Sequence, residues 1–209
     1  WRSRDERNSL SAFTRAFERG YGVELDLRDQ SGRLVVSHDP ANNDSLGFAD
    51  LLRAYAGSGA KVTLAINIKA AGLEDLVDSA LRSHGVRDYF LFDMAVPDAV
   101  RTHKRGLTFF TRQSEYETEP SLYREAAGVW IDSFIDDWVD AATVRRHLDN
   151  KKKVAIVSPE LHGRPHRDVW ERYAAMPEVA SNDVFLCTDF PEEAEDFFCR
   201  AQREVRCHR

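Results

Sequence analysis

Residues 21–40 read YGVELDLRDQSGRLVVSHDP, and this stretch predicts two short strands joined by a turn. Its first half alternates between apolar and charged side chains, which is the period of a β-strand. Glu24 and Asp26 therefore lie on one face of that strand, opposite an apolar face suited to packing against helices. A Gln-Ser-Gly turn over 30–32 leads into the second strand, 34–36.

The same change of period continues outward along the chain. Further strands are predicted over 62–69, 89–94, 107–111, 128–131, 153–158 and 184–187. Helices are predicted over 9–19, 45–56, 73–83, 96–104, 120–127, 139–149, 167–175 and 191–204. Strands that alternate with helices over a whole chain indicate a parallel sheet, either doubly wound or closed into a barrel.

The polar residues at the strand ends favour the barrel. Almost every predicted strand ends in a side chain capable of chemistry: Asp26, His38, Lys69, Asp93, Arg112, Asp132, Glu160 and Asp189. In a (β/α)₈ TIM barrel the active site gathers the carboxyl ends of all strands, whereas an open sheet gathers them at one switch point. We therefore expect one α/β barrel domain over 1–209. Because the first helix has no strand before it, the first barrel strand is expected upstream of Trp1.

Composition sets broad limits on the class of protein. The chain has 209 residues, of which 43% are hydrophobic and 31% charged, which excludes disordered and fibrous proteins. No apolar run approaches the roughly 18 residues that a membrane-spanning helix needs. The net charge of −6 disfavours a nucleic-acid partner. The three cysteines match no zinc spacing, and no signal peptide is visible, which favours a cytoplasmic location.

Two carboxylates on an interior strand face repel each other and are costly to bury. A hard divalent cation bound through oxygen would resolve this repulsion, so Glu24 and Asp26 predict a metal site. The alternative is an exposed strand face paired with Arg28.

Three further polar residues stand at strand ends. His38 is placed for general acid–base chemistry, or else is simply a histidine in a turn before a proline. Asn67 and Lys69 share one face of the strand over 62–69. The amide oxygen of Asn67 suits calcium and the Lys69 ammonium suits an anionic substrate, the alternative being a polar strand end without a role.

The chain resembles the glycerophosphodiester phosphodiesterase family. Residues 21–40 are similar to its signature, a Glu-x-Asp strand, a short turn and a strand ending in His-Asp. Residues 8–13 are similar to the Asn-Thr-x-x-Ala-Phe segment that opens the family's first helix, and residues 188–191 to its closing Thr-Asp-x-Pro. These segments occur in the family's order over nearly the whole chain, in a pattern that looks like a divergent branch.

The resemblance implies a (β/α)₈ barrel that cleaves phosphodiesters. It implies that Glu24 and Asp26 bind Ca²⁺ or Mg²⁺, that His38 is one of two catalytic histidines, and that Lys69 contacts the phosphate. The sequence departs from the family pattern in two places. Asn67 stands where the family has a third ligand, a glutamate, and the His-Arg-Gly motif that carries the other histidine is missing. Trp1-Arg2-Ser3 is not a substitute, so that histidine is expected upstream.

A second group of residues is assigned to substrate binding: Asp93, Arg112, Trp130, Glu160 and His162. A guanidinium matches phosphate in a bidentate way, which favours Arg112 as a substrate contact over a salt bridge with Glu115. For the others the alternatives are an ion pair (Asp93), core packing (Trp130) and a solvated loop (Glu160 and His162). The remaining histidines, His84, His103, His147 and His166, are expected at the surface.

These residues predict a metal-dependent hydrolase that releases glycerol phosphate and an alcohol from a small-molecule or polymeric phosphodiester. Three alternatives stay open. One is a lyase that stops at a cyclic phosphate, another a non-catalytic module that binds polyol phosphates, and the last an unrelated barrel such as a sugar isomerase. The alcohol and the oligomeric state are not readable from the sequence.

Overall fold

The structure is a computed structural model that describes residues 6–207, with side chains through residue 201. It divides the chain into two compact units, Trp1–Phe110 and Thr111–Arg209. Each unit contains one sheet with helices. The prediction of a single barrel domain stays a prediction, and the expectations for Trp1-Arg2-Ser3 fall outside the described residues.

Unit 1 holds a five-stranded sheet in the order β3-β2-β1-β4-β5. Its elements are α1 (Leu10–Glu18), β1 (Val23–Gln30), β2 (Arg33–Val36), β3 (Leu46–Gly47), α2 (Phe48–Ser58), β4 (Leu64–Ile68), α3 (Glu74–Ser83), β5 (Tyr89–Phe92) and α4 (Val96–Lys104). β1 pairs parallel with β4, and β4 pairs parallel with β5. β2 and β3 add an antiparallel edge to β1.

Unit 2 holds a four-stranded sheet in the order β6-β7-β8-β9. Its elements are β6 (Phe110–Gln113), β7 (Gly128–Ile131), α5 (Ala141–Asp149), β8 (Lys153–Val157), a 3₁₀ helix (Pro159–His162), α6 (Arg167–Ala174), a second 3₁₀ helix (Pro177–Ala180), β9 (Val184–Cys187) and α7 (Pro191–Cys207). β7, β8 and β9 pair in parallel. No helix of the described chain is both long and apolar enough to cross a bilayer.

Local sequence explains where these elements begin and what they bury. The Ser9 hydroxyl accepts a hydrogen bond from the Ala12 N–H and so caps α1. In β1, Leu25 and Leu27 are fully buried, as the alternation predicts. In unit 2 the helices cover one face of the sheet, where Val129, Ile131 and Trp170 belong to a single apolar core. The alternating α/β pattern and its parallel strands are therefore confirmed.

The predicted helix over 120–127 is wrong, because this segment is a series of turns. Leu122 takes a left-handed backbone with φ of +55°, which a continuous α-helix excludes. The Ser121 carbonyl accepts a hydrogen bond from the Thr111 hydroxyl on β6. The local helical pattern was thus overridden by a contact with a strand.

The surface prediction for His147 is also wrong, since this side chain is buried. Its Nε2 donates to the Gln113 Oε1 at 2.8 Å, and its Nδ1 accepts from the Tyr123 hydroxyl at 2.9 Å. Burial, together with the positive charge of Arg146, lowers the pKa of His147 from 6.5 to about 4. By contrast His103 is exposed, and His84 and His166 are half-buried.

We predict that the chain loses stability as the pH falls from about 6.5 to about 4. His147 is neutral in the fold but becomes protonated in the unfolded chain, so acid favours unfolding by on the order of 2 kcal/mol. Urea unfolding at pH 7.5 and pH 4.5 measures this loss of unfolding free energy. We expect a smaller loss in His147→Gln and an unchanged loss in the exposed control His103→Gln. An equal loss in the His147→Gln variant would contradict this origin.

Candidate active site

The register of three parallel strands in unit 1 brings polar residues of the first half of β1 beside those at the carboxyl ends of β4 and β5. Asp26 of β1 lies opposite Asn67 of β4, and Asn67 lies opposite the last residue of β5. Asp93 follows β5 directly. Glu24 lies two residues before Asp26 and so shares its face. We call Glu24, Asp26, Asn67 and Asp93 the oxygen cluster.

Lys69 provides the positive charge nearest to Asp26. Its Nζ lies 3.3 Å from the Asp26 Oδ1, and both side chains are largely buried, with exposed fractions of 25% and 11%. The pair forms at the end of β4, where the Lys69 N–H donates to the Leu27 carbonyl at 3.0 Å and extends the ladder by one step. Lys69 therefore contacts a carboxylate of the neighbouring strand, and its predicted contact with phosphate stays a prediction.

Asn67 and Asp93 form the other direct contact in the oxygen cluster. The Asn67 Nδ2 donates to the Asp93 Oδ2 at 3.2 Å. Asp93 takes a left-handed backbone with φ of +63°, a conformation that aspartate tolerates better than most residues and that is found at functional sites. The Asn67 Oδ1 is buried and has no hydrogen-bond partner.

The pKa of Glu24 reflects the repulsion expected between neighbouring carboxylates. Burial, followed by the negative charges of Asp26 and Asp93, raises the pKa of Glu24 to about 8. The Lys69 ammonium and a hydrogen bond with Asn67 act in the opposite direction but do not cancel the rise. Without a cation, the residues around Glu24 therefore do not stabilise a further negative charge at its position.

The oxygen cluster fits a hard divalent cation by the chemistry of its donors. All of its candidate ligand atoms are carboxylate or amide oxygens, the type that Ca²⁺ and Mg²⁺ prefer. The unpartnered Asn67 Oδ1 is the structural observation that favours a cation here. A buried acceptor without a donor carries a desolvation cost, which a bound cation would remove. Among the side chains that the structure describes, no three or more histidine, cysteine or carboxylate groups are arranged as a metal site, so the assignment depends on the amide oxygen of Asn67.

His38 lies just beyond β2 and is exposed, with 71% of its side chain accessible. Its Nδ1 lies 3.1 Å from the Asp39 Oδ1. The Ser37 N–H donates to the Asp26 carbonyl at 2.9 Å, so the backbone before His38 is tied to β1. The structure therefore places an accessible imidazole two residues past the end of β2, the strand that pairs with β1.

Arg28 links the segments that carry His38 and Lys69, a role that the sequence interpretation missed. Its Nε and Nη2 donate to the His38 carbonyl at 3.2 and 2.9 Å, and its Nη1 donates to the Lys69 carbonyl at 3.1 Å. The available signal was position, because Arg28 continues the face of Glu24 and Asp26. The sequence interpretation considered it only as an ion-pair partner.

Unit 2 carries its own group of polar residues at strand ends. The His162 Nε2 lies 2.6 Å from the Asp132 Oδ1, which also accepts from the Ser133 N–H at 3.0 Å. Trp130 is buried on the same strand face as Asp132, opposite the face that holds Val129. This pairing of His162 with a carboxylate was not foreseen from the sequence.

The other two substrate-contact candidates of unit 2 are engaged by neighbouring residues. Glu160 accepts from the Ser158 and Thr188 hydroxyls and, at 3.1 Å, from the Asp189 N–H. Arg112 pairs with Glu117, whereas the alternative interpretation considered Glu115 as its partner.

Glu115 instead accepts from three successive backbone N–H groups, those of residues 134–136, at 3.0 to 3.1 Å. Burial works against its ionisation, but these hydrogen bonds outweigh burial and lower the pKa of Glu115. Glu115 therefore fixes the loop that follows β7.

Comparisons with known proteins identify the fold. No family model and no curated protein sequence matches the chain. Among solved structures, it is similar to a glycerophosphodiester phosphodiesterase from Agrobacterium tumefaciens, with a TM-score of 0.62 and 15% identity over 94% of this chain and 93% of that one. It is also similar to a glycerophosphoryl diester phosphodiesterase from Parabacteroides distasonis, with a TM-score of 0.65 and 12% identity over 92% and 81% of the two chains.

These likenesses show the fold. The chain is a mixed α/β protein with parallel strands, and its structural neighbours are phosphodiesterases with the (β/α)₈ fold. The fold class and the resemblance derived from residues 21–40 are confirmed at this level. The roles of individual site residues stay predictions.

We predict that Arg28→Met loosens the backbone at His38 and Lys69. Removing the guanidinium leaves two carbonyl oxygens without a donor, which should lower the free energy of unfolding by about 1 to 2 kcal/mol. Hydrogen exchange should accelerate at the amides of Ser37 and Lys69. Arg33→Met, at an exposed position beside the hairpin turn, is the matched control. Unchanged exchange at both amides would show that Arg28 does not hold these segments.

Proposed function

We propose that this chain is a metal-dependent phosphodiester hydrolase that converts a glycerophosphodiester into glycerol phosphate and an alcohol. The observation that carries the proposal is the unpartnered amide oxygen of Asn67 within the oxygen cluster, beside Lys69, in a fold shared with glycerophosphodiester phosphodiesterases. The reaction breaks the bond from phosphorus to the alcohol oxygen. It forms one from phosphorus to a water oxygen, and the proton of that water is finally carried by the alcohol.

Glu24, Asp26 and Asn67 are the residues proposed to hold the cation. A divalent cation at such a site neutralises phosphate charge and lowers the pKa of a nearby hydroxyl or water. The neutral amide at position 67, where the family has a carboxylate, reduces the charge of the ligand set. A lower ligand charge weakens cation affinity, so we expect a site that needs a higher cation concentration than one with three carboxylates.

Lys69 and His38 are the proposed catalytic residues of unit 1. The Lys69 ammonium would bind a non-bridging phosphate oxygen and stabilise the charge that the transition state spreads over these oxygens. His38 would move a proton to or from a reacting oxygen, for which its accessible imidazole is suited. Arg28 would act on both through the carbonyls that it binds.

The other predicted contacts keep supporting roles in the proposal. Asp93 orients Asn67 through their hydrogen bond. Arg112, Trp130, Glu160 and His162 stay predicted substrate contacts of unit 2. The substrate would be a small molecule or a polymer with a glycerol phosphate unit.

We predict that the full-length protein releases glycerol phosphate from glycerophosphodiesters in the presence of Ca²⁺ or Mg²⁺. EDTA should abolish the release. His38→Ala should reduce kcat by about 10²- to 10⁴-fold, because a general acid–base group typically contributes that much. His103→Ala, another exposed histidine, is the control that should keep full activity. Product analysis by ³¹P NMR separates the outcomes.

A cyclic phosphate as the final product would assign the protein to the lyases instead. Binding of Ca²⁺ and glycerol phosphate without turnover of any glycerophosphodiester would support the non-catalytic binding module, which the Asn67 substitution already favours among the alternatives. Turnover that persists in both EDTA and the His38→Ala variant would refute the proposed mechanism.

A further inference from the structure

The Lys69 ammonium is paired with a carboxylate that is assigned to the proposed cation. Its Nζ lies 3.3 Å from the Asp26 Oδ1, and Asp26 is one of the two carboxylates assigned to the cation. A doubly charged cation on Asp26 would repel an ammonium at this distance strongly, because both lie in a largely buried site with a reduced dielectric. The cation and the ammonium therefore compete for the same carboxylate.

The backbone of Lys69 is held by hydrogen bonds on both sides of its Cα. The N–H donates to the Leu27 carbonyl at 3.0 Å, and the carbonyl accepts from the Arg28 Nη1 at 3.1 Å. A quarter of the Lys69 side chain is exposed. Displacement from Asp26 would therefore move the ammonium by side-chain rotation alone and leave it at the same strand end.

The oxygen cluster also opposes an anionic ligand while no cation is present. Asp26 and Asp93 contribute carboxylates here, and among the described residues the Lys69 ammonium, which contacts this cluster, is already paired with Asp26. A phosphate group would have to approach this negative potential without a free positive partner. With a divalent cation held by Glu24, Asp26 and Asn67, the carboxylates would be offset and Lys69 would lose its partner Asp26.

We propose that Lys69 is an exchange residue that pairs with Asp26 in the absence of a cation and transfers to phosphate when a divalent cation takes Asp26. This inference rests on the proposed function and adds to it an order of binding, cation before phosphodiester. Coupling between two binding sites is reciprocal. If the cation raises the affinity for phosphate by a given factor, phosphate must raise the affinity for the cation by the same factor.

Lys69→Met gives this exchange an unusual signature, because its effects on the two ligands have opposite signs. Loss of the competing ammonium should raise the affinity for Ca²⁺ alone by roughly tenfold, and loss of the phosphate partner should lower the affinity of the Ca²⁺-loaded protein for glycerol 3-phosphate by a similar factor. A residue that only supported the structure would weaken both. Lys61→Met removes an equal charge at an exposed position before the other end of β4 and is the control.

Titration calorimetry of the full-length protein with Ca²⁺, and with glycerol 3-phosphate at zero and saturating Ca²⁺, measures all of these quantities. A second measurement uses the unmutated chain and therefore does not depend on how a variant folds. Acetic anhydride labels free amines, and mass spectrometry follows Lys69 relative to Lys61. Labelling of Lys69 should rise when Ca²⁺ is added and fall again when glycerol 3-phosphate follows.

The outcomes separate this inference from the function on which it rests. If the unmutated protein binds neither Ca²⁺ nor Mg²⁺, both the metal-dependent function and the exchange are overturned. The exchange alone is overturned by two results found together in a protein that binds Ca²⁺. The first is a Ca²⁺ affinity of Lys69→Met that is unchanged or lower, and the second is Lys69 labelling that does not change when Ca²⁺ is added. Opposite shifts in Lys69→Met, with Lys61→Met unchanged, would establish it even if no phosphodiester is turned over.

Discussion

The parallel register of β1 with β4 is the constraint on which the site depends. It sets Asp26 beside Asn67 and, one step further, lets the Lys69 N–H bond to Leu27. The buried leucines of β1 fix this register, because a slip of one residue would turn them out of the core and turn Glu24 and Asp26 into it. Core packing on one face of the strand therefore decides which polar atoms meet at its end.

This arrangement stores unfavourable electrostatics that local pairing relieves only in part. Lys69 neutralises Asp26. The Asn67 Nδ2 donates a hydrogen bond to Asp93, while the Asn67 Oδ1 has no donor. Such a balance is common at functional sites, where local rules of stability are broken for the sake of a ligand. The buried His147 of unit 2 differs, because both of its ring nitrogens are hydrogen-bonded and it serves the fold.

Much of this could be predicted from the sequence, because the decisive patterns are short. Alternation in residues 22–28 predicts the strand and its polar face. Asn67 and Lys69 are two residues apart, so they share one face at the carboxyl end of β4. What could not be predicted depends on contacts between distant segments. The guanidinium of Arg28 meets the carbonyl of Lys69, 41 residues away, and Leu122 leaves the helical region in a segment that contacts β6. The partners of charged side chains at strand ends, such as His162 for Asp132, could not be predicted either, because they also come from distant segments.

The central claim is that the oxygen cluster is a divalent-cation site built around a neutral amide. The most direct measurement is anomalous diffraction from crystals grown with Ca²⁺. We predict a peak about 2.3 to 2.6 Å from the Asn67 Oδ1 and from carboxylate oxygens of Glu24 and Asp26, with the Lys69 Nζ moved away from Asp26. A cation bound only elsewhere, or none at this strand end with Lys69 still on Asp26, would contradict it.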